Sequence, residues 1–104
     1  MKRTSVLDRI KEQTHTMFPE IQTILYGSEA RGDSRPDSDI DLLILLPEDH
    51  VSPEREHHIV SKLFEIELQS DVIISSLIMP RRQWEHPKVI TPFYLNVKRE
   101  GIVL

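Results

Sequence analysis

The chain contains no cysteine, only three glycines and only six aromatic residues (three Phe, two Tyr, one Trp) among 104. Without cysteine neither a disulfide framework nor a thiolate zinc site can form, and such a composition fits a reducing, cytoplasmic setting. No apolar run approaches the length of a membrane span. The start, MKRTSVLDRIKEQ, lacks the apolar stretch of a secretory signal. A basic excess is missing too: thirteen Lys and Arg face seventeen Asp and Glu, for a net charge of −4. Nucleic-acid binders usually show the opposite balance and more stacking aromatics, which argues against that class. Neither an internal repeat nor a low-complexity linker breaks the chain, and its length suits one domain over residues 1–104.

What is present is an alternation of helices and strands. Residues 4–17 have helical spacing, with Val6, Leu7, Ile10 and Met17 near one face and Pro19 as the stop. Residues 21–26 read as a strand running into Gly27-Ser28, and residues 39–46 as a second strand closed by Pro47. Ser52-Pro53 opens a helix expected to reach about Leu68, with Ile59, Val60, Leu63, Phe64 and Ile66 turned partly inward. Residues 71–75, DVIIS, read as a third strand. Short helices follow at Pro80–Glu85 and Pro92–Arg99, then Gly101 and an edge strand at Ile102–Leu104. The fold class is α/β (α+β), with a mixed sheet flanked by helices.

One stretch does not behave like a solvated loop. YGSEARGDSRPDSDIDLLILL, residues 26–46, carries two arginines and four aspartates and then runs straight into five apolar residues. Side chains alternate across a strand, so Asp39 and Asp41 share a face. If the first two strands are antiparallel, that pair meets Gly27-Ser28 at one edge of the sheet. A helical crossover favours a parallel third strand, which would bring Asp71 to the same edge. Three close carboxylates repel and call for a cation. An oxygen-only donor set suits Mg²⁺ or Mn²⁺, and two such ions about 3.5–4 Å apart would clamp a phosphoryl displacement. Gly27 would let backbone approach a phosphate. Ser28 adds a hydroxyl and an N–H, and a helical turn over 28–32 would aim donors at an anion. Arg31, with Arg35 as a further cation, would neutralise triphosphate charge.

These residues resemble a known family. Gly27-Ser28-Glu29-Ala30-Arg31-Gly32 followed by Pro36-Asp37-Ser38-Asp39-Ile40-Asp41 is similar to the minimal nucleotidyltransferases of the DNA polymerase β superfamily, and the likeness spans nearly the whole chain. The resemblance implies the polymerase-β-like nucleotidyltransferase fold. It also implies Mg²⁺-dependent transfer of a nucleoside monophosphate from an NTP, with AMP from ATP the usual case, and release of pyrophosphate. The family's Gly-Ser maps to Gly27 and Ser28, its paired aspartates to Asp39 and Asp41, and its third carboxylate to Asp71. Glu65 and Glu67 are poorer matches because they fall in the expected helix. Small members pair with a helical HEPN protein as the antitoxin of a toxin–antitoxin system, the acceptor being a hydroxyl, often a tyrosine's, on that partner.

Plainer readings stand beside each assignment. Asp39 and Asp41 would otherwise be charges at the start of a strand, Asp71 a turn residue, Ser28 a helix cap and Arg31 a surface ion-pair partner. Asp37 reads as a turn residue beside Pro36. Asp37, Asp39, Asp41 and Glu48 echo a calcium loop, but Leu42 stands where that loop needs Gly. Ile78, Met79, Trp84 and Phe93 read as core, with a partner surface as the alternative. Two other functions stay open: an antitoxin that only occludes its partner, and a small-molecule (antibiotic-type) nucleotidyltransferase that needs a second subunit.

Overall fold

Five apolar side chains in a row, Leu42–Leu46, need cover on both faces of whatever they form. The chain supplies it by making them the inside of a sheet. A computed structural model describes residues 3–104. Its elements run α1 (Arg3–Met17), β1 (Gln22–Tyr26), α2 (Ser28–Arg31), β2 (Ile40–Leu46), α3 (Pro53–Ser70), β3 (Ile74–Pro80), α4 (Arg81–Glu85), α5 (Pro92–Glu100) and β4 (Ile102–Val103). The four strands lie in the order β3-β2-β1-β4. β1 is antiparallel to β2 and to β4, while β2 and β3 are parallel, joined by α3. The strand directions and the edge strand are those expected.

Alternation along β2 sorts the core into two. Ile40, Leu42, Ile44 and Leu46 pack with Val6, Ile10, Phe18, Leu25, Ile59, Leu63 and Ile66, beneath α1 and α3. Leu43 and Leu45 face the other way, against Trp84 of α4 and Val97 of α5. Helix α1 turns Val6, Ile10 and Thr14 inward, and the Thr14 hydroxyl satisfies itself on the Ile10 carbonyl at 2.8 Å. The expected inward Met17 is instead exposed, and Phe18 takes the buried place. In α3 the Ser52 side chain caps the helix by accepting from the Arg55 N–H at 3.1 Å. Its inward stripe is Ile59, Leu63, Ile66 and Ser70. Val60 and Phe64 point outward, because four-residue steps from Ile59 and Leu63 leave their neighbours on the flank.

The third strand begins later than the sequence suggested. Helix α3 runs on to Ser70, and Asp71 is its C-cap in the left-handed conformation, with φ 56°. β3 then spans Ile74–Pro80 and pairs along the whole of β2, from Ile40↔Ile74 to Leu46↔Pro80. The apolar run Val72-Ile73-Ile74 imitates a strand start. Pairing with a seven-residue partner decides otherwise, and Asp71 is a helix terminus ahead of the strand. Among the described residues no helix is long and apolar enough to cross a membrane.

An L side chain in the left-handed region is strained, and a β-branched one most of all. Asp71→Val is expected to lower stability by about 1–2 kcal/mol, and Asp71→Gly to match or exceed the wild type, as measured by urea denaturation.

Candidate active site

The β1–β2 register sets Tyr26 opposite Asp41, so the turn after β1 starts beside that carboxylate. Gly27 there adopts φ 76° and ψ −155°, where a side chain is disfavoured. A Cβ on Gly27 would also collide with Oδ2 of Asp41. The position therefore needs glycine for conformation and for clearance. One helical turn follows, closed by the Arg31 N–H on the Gly27 carbonyl at 3.0 Å and the Asp33 N–H on the Ser28 carbonyl at 3.1 Å. Gly32 ends it at φ 81°.

Asp39 is exposed just before β2, and Asp41 lies half-buried inside it. Both face the α4–α5 side with Leu43 and Leu45. Burial, and then the charge of Asp39, pushes the Asp41 carboxyl above its usual range, and Arg31 pulls partly the other way. Tyr26 is raised as well, first by burial and then by Asp41, and keeps its proton. A strand that holds two carboxylates together, one of them partly desolvated, has donors that fit a hard divalent cation. Arg31 is engaged by Asp33 at 3.2 Å and Glu100 at 3.3 Å, with its side chain 45% exposed.

The structure brings Gly27, Ser28, Arg31, Asp39 and Asp41 to one end of the sheet, but Asp71 does not join them. Among the described residues no group of three or more His, Cys, Asp or Glu could hold a metal. Asp71 lies along a separate groove with Arg3, Ser34, Arg35, Pro36 and Val72. The residue in register with Asp41 on β3 is Ser75, whose hydroxyl donates to Asp39 Oδ2 at 3.1 Å. A correct β3 boundary would have pointed to Ser75 in the sequence.

Arg3 had no such signal. Its guanidinium donates to Glu29 of α2, to the Ser38 carbonyl at 2.8 Å and to the Pro36 carbonyl at 3.3 Å. Glu29 in turn accepts from the Ser34 hydroxyl at 2.8 Å. The first turn of α1 thus ties the one-turn helix to the loop that delivers Asp39. On the Asp41 face, β3 is only partly covered. An open groove of about 900 Å³ lies along Leu77, Met79, Trp84, Phe93 and Tyr94. Phe93 meets Tyr26 edge-on, ring centroids 5.4 Å apart. Trp84 is core, Ile78 packs under the first cluster, and Met79 and Phe93 line the groove.

The family model for the nucleotidyltransferase domain matches residues 7–94. The chain belongs to the nucleotidyltransferase domain family. Nucleotidyl transfer is accordingly its reaction class, and nucleotidyltransferases of this family generally work on nucleoside triphosphates with a divalent metal. Solved structures share the fold. One is a toxin–antitoxin with AMP-PNP, 16% identical at a TM-score of 0.61, covering 98% of this chain and 72% of that one. A mutant of the toxin–antitoxin MntA–HpeT is 19% identical at 0.62, covering 94% and 70%. A candidate nucleotidyltransferase from Sulfolobus solfataricus is 18% identical at 0.60, covering 95% and 76%. A comparison with curated proteins gives no match.

Two outcomes follow for this nucleotidyltransferase. The folded-state pKa of Asp41 lies above its ordinary value of 3.8. Its contribution to stability is therefore greatest below that value and is lost as pH rises through the folded pKa. Asp41→Asn should be more stable than wild type at neutral pH in EDTA, with the advantage shrinking toward about pH 3, in thermal melts. Arg3→Ala removes the Arg3 donor from Glu29 Oε1 and from two carbonyls, leaving Glu29 with Ser34 alone. It should cost about 1–3 kcal/mol and speed hydrogen exchange across residues 33–38.

Proposed function

We propose that the chain transfers a nucleoside monophosphate, AMP from ATP in the first instance, to a hydroxyl on a HEPN-type toxin and so acts as its antitoxin. The observation that carries this reading is the juxtaposition of the Gly27-Ser28 turn with the Asp39–Asp41 pair, inside a fold shared with toxin–antitoxin structures. In the reaction the acceptor oxygen attacks the α-phosphorus. The bond to the bridging oxygen breaks, pyrophosphate leaves with that electron pair, and the hydroxyl proton is lost to a base.

The chain's residues have distinct parts in this. Gly27 makes room for the Asp41 carboxylate against the turn, and its bare backbone lets the nucleotide's phosphates come close. Ser28 offers a hydroxyl and an N–H, and Arg31 exchanges its acidic partners Asp33 and Glu100 for triphosphate oxygens. Asp39 and Asp41 are the residues that would hold Mg²⁺. A divalent cation bound there supplies the positive charge that lets carboxylates and triphosphate share one place. Asp71 has no part in this scheme.

Two carboxylates where the expectation was three favour one rival, an antitoxin that occludes its partner without catalysis. Isothermal titration with a non-hydrolysable ATP analogue separates the two. Mg²⁺-dependent binding should be weakened at least about tenfold in Asp39→Asn/Asp41→Asn, with the circular dichroism spectrum unchanged. Added HEPN toxin and labelled ATP should then yield a labelled toxin. Binding without Mg²⁺ dependence, or an unlabelled but neutralised toxin, would leave occlusion as the function.

A further inference from the structure

The residue that stands beside the carboxylate pair on the neighbouring strand is a serine, and that has consequences for how much metal the site can take. β3 reads ISSLIMP and contains no acid. In the parallel ladder Asp41 faces Ser75, Leu43 faces Leu77 and Leu45 faces Met79. Residues opposite one another in a ladder share a face, so Ser75 is the β3 side chain nearest the pair on the side the pair uses. Its hydroxyl donates to Asp39 Oδ2 at 3.1 Å, a bond that an acid at this position would replace with repulsion. The other candidate acid, Asp71, is held as the left-handed cap of α3, its N–H on the Glu67 carbonyl at 3.0 Å. It cannot swing onto β3 without unwinding that helix end.

We infer that Ser75 occupies the place of a third metal-bearing carboxylate, so that the chain offers donors for one divalent cation, with Ser75 orienting Asp39 toward it. Two carboxylates can share one ion. A second ion on the acceptor side, away from the triphosphate oxygens that serve the first, would have no protein carboxylate of its own, because β3 provides only a neutral hydroxyl there. The inference rests on the nucleotide-site reading above, and it assigns Ser75 as a positioning residue.

The test counts ions. Mn²⁺ is titrated into the purified chain saturated with a non-hydrolysable ATP analogue, and bound Mn²⁺ is read by electron paramagnetic resonance. Wild type should hold one Mn²⁺ per bound nucleotide. Ser75→Ala should keep that stoichiometry while the Mn²⁺ affinity drops about tenfold, as for one hydrogen bond to a charged group. Ser75→Asp should take up a second ion. Asp71→Asn should be indistinguishable from wild type, and this comparison does not depend on Ser75→Asp folding. Two ions in the wild type, or a loss of affinity in Asp71→Asn, would overturn the inference. Bound nucleotide with one ion supports it, whereas no bound nucleotide in any variant defeats the nucleotide-site reading itself.

Discussion

The contact between Gly27 and Asp41 constrains everything around it. The carboxylate occupies the space a Cβ would need, so strand β1 must end in a residue without one. The turn that follows must start from a backbone conformation that L side chains avoid. The antiparallel register that sets Tyr26 against Asp41 makes this approach unavoidable. Burial of Leu42 to Leu46 on both faces makes the register itself hard to shift, because a one-residue slip would turn Asp41 into the α1–α3 core and Leu42 out of it. The carboxylates at the start of β2 are therefore held in place by hydrophobic packing along the rest of the strand.

Much of this was legible in the sequence. Helical spacing and the Ser52-Pro53 start marked α1 and α3, uninterrupted apolar character marked β2, and the length of the crossover gave the parallel pairing. Gly27 and the aspartate pair stood out because they break the pattern of the elements they sit in. The start of β3 was not legible. Val72 and Ile73 have strand-like side chains, but α3 persists through Ser70 and the ladder is set by Ile40 pairing with Ile74. From that local misreading came the larger one: Asp71 moved to the helix end and Ser75 to the side of Asp41. Arg3 could not have been found at all, since its partners are two main-chain carbonyls and a glutamate brought near only by the folded sheet.

The two faces of the sheet do different work. The α1–α3 face is a continuous apolar cluster that reaches from Val6 to Ile74. The other is covered only in part by α4 and α5, whose buried anchors are Trp84 and Val97. The carboxylates open on this less protected side, where Leu77 and Phe93 remain partly exposed. A substrate or partner approaching there meets aromatic and aliphatic side chains next to charge, while the opposite face holds the larger buried apolar cluster.

The crossover also fixes the order in which a growing chain can be completed. β1 and β2 are neighbours in sequence and can pair as soon as both have emerged. The outer edge of β2 stays bare until all of α3 and then β3 have been synthesised. During that interval Leu42–Leu46 is an uncharged strand with one bare edge, of the kind that seeds intermolecular pairing. Newborn chains are thus most exposed to aggregation before Ser75 arrives, and slow translation through α3 would lengthen that exposure.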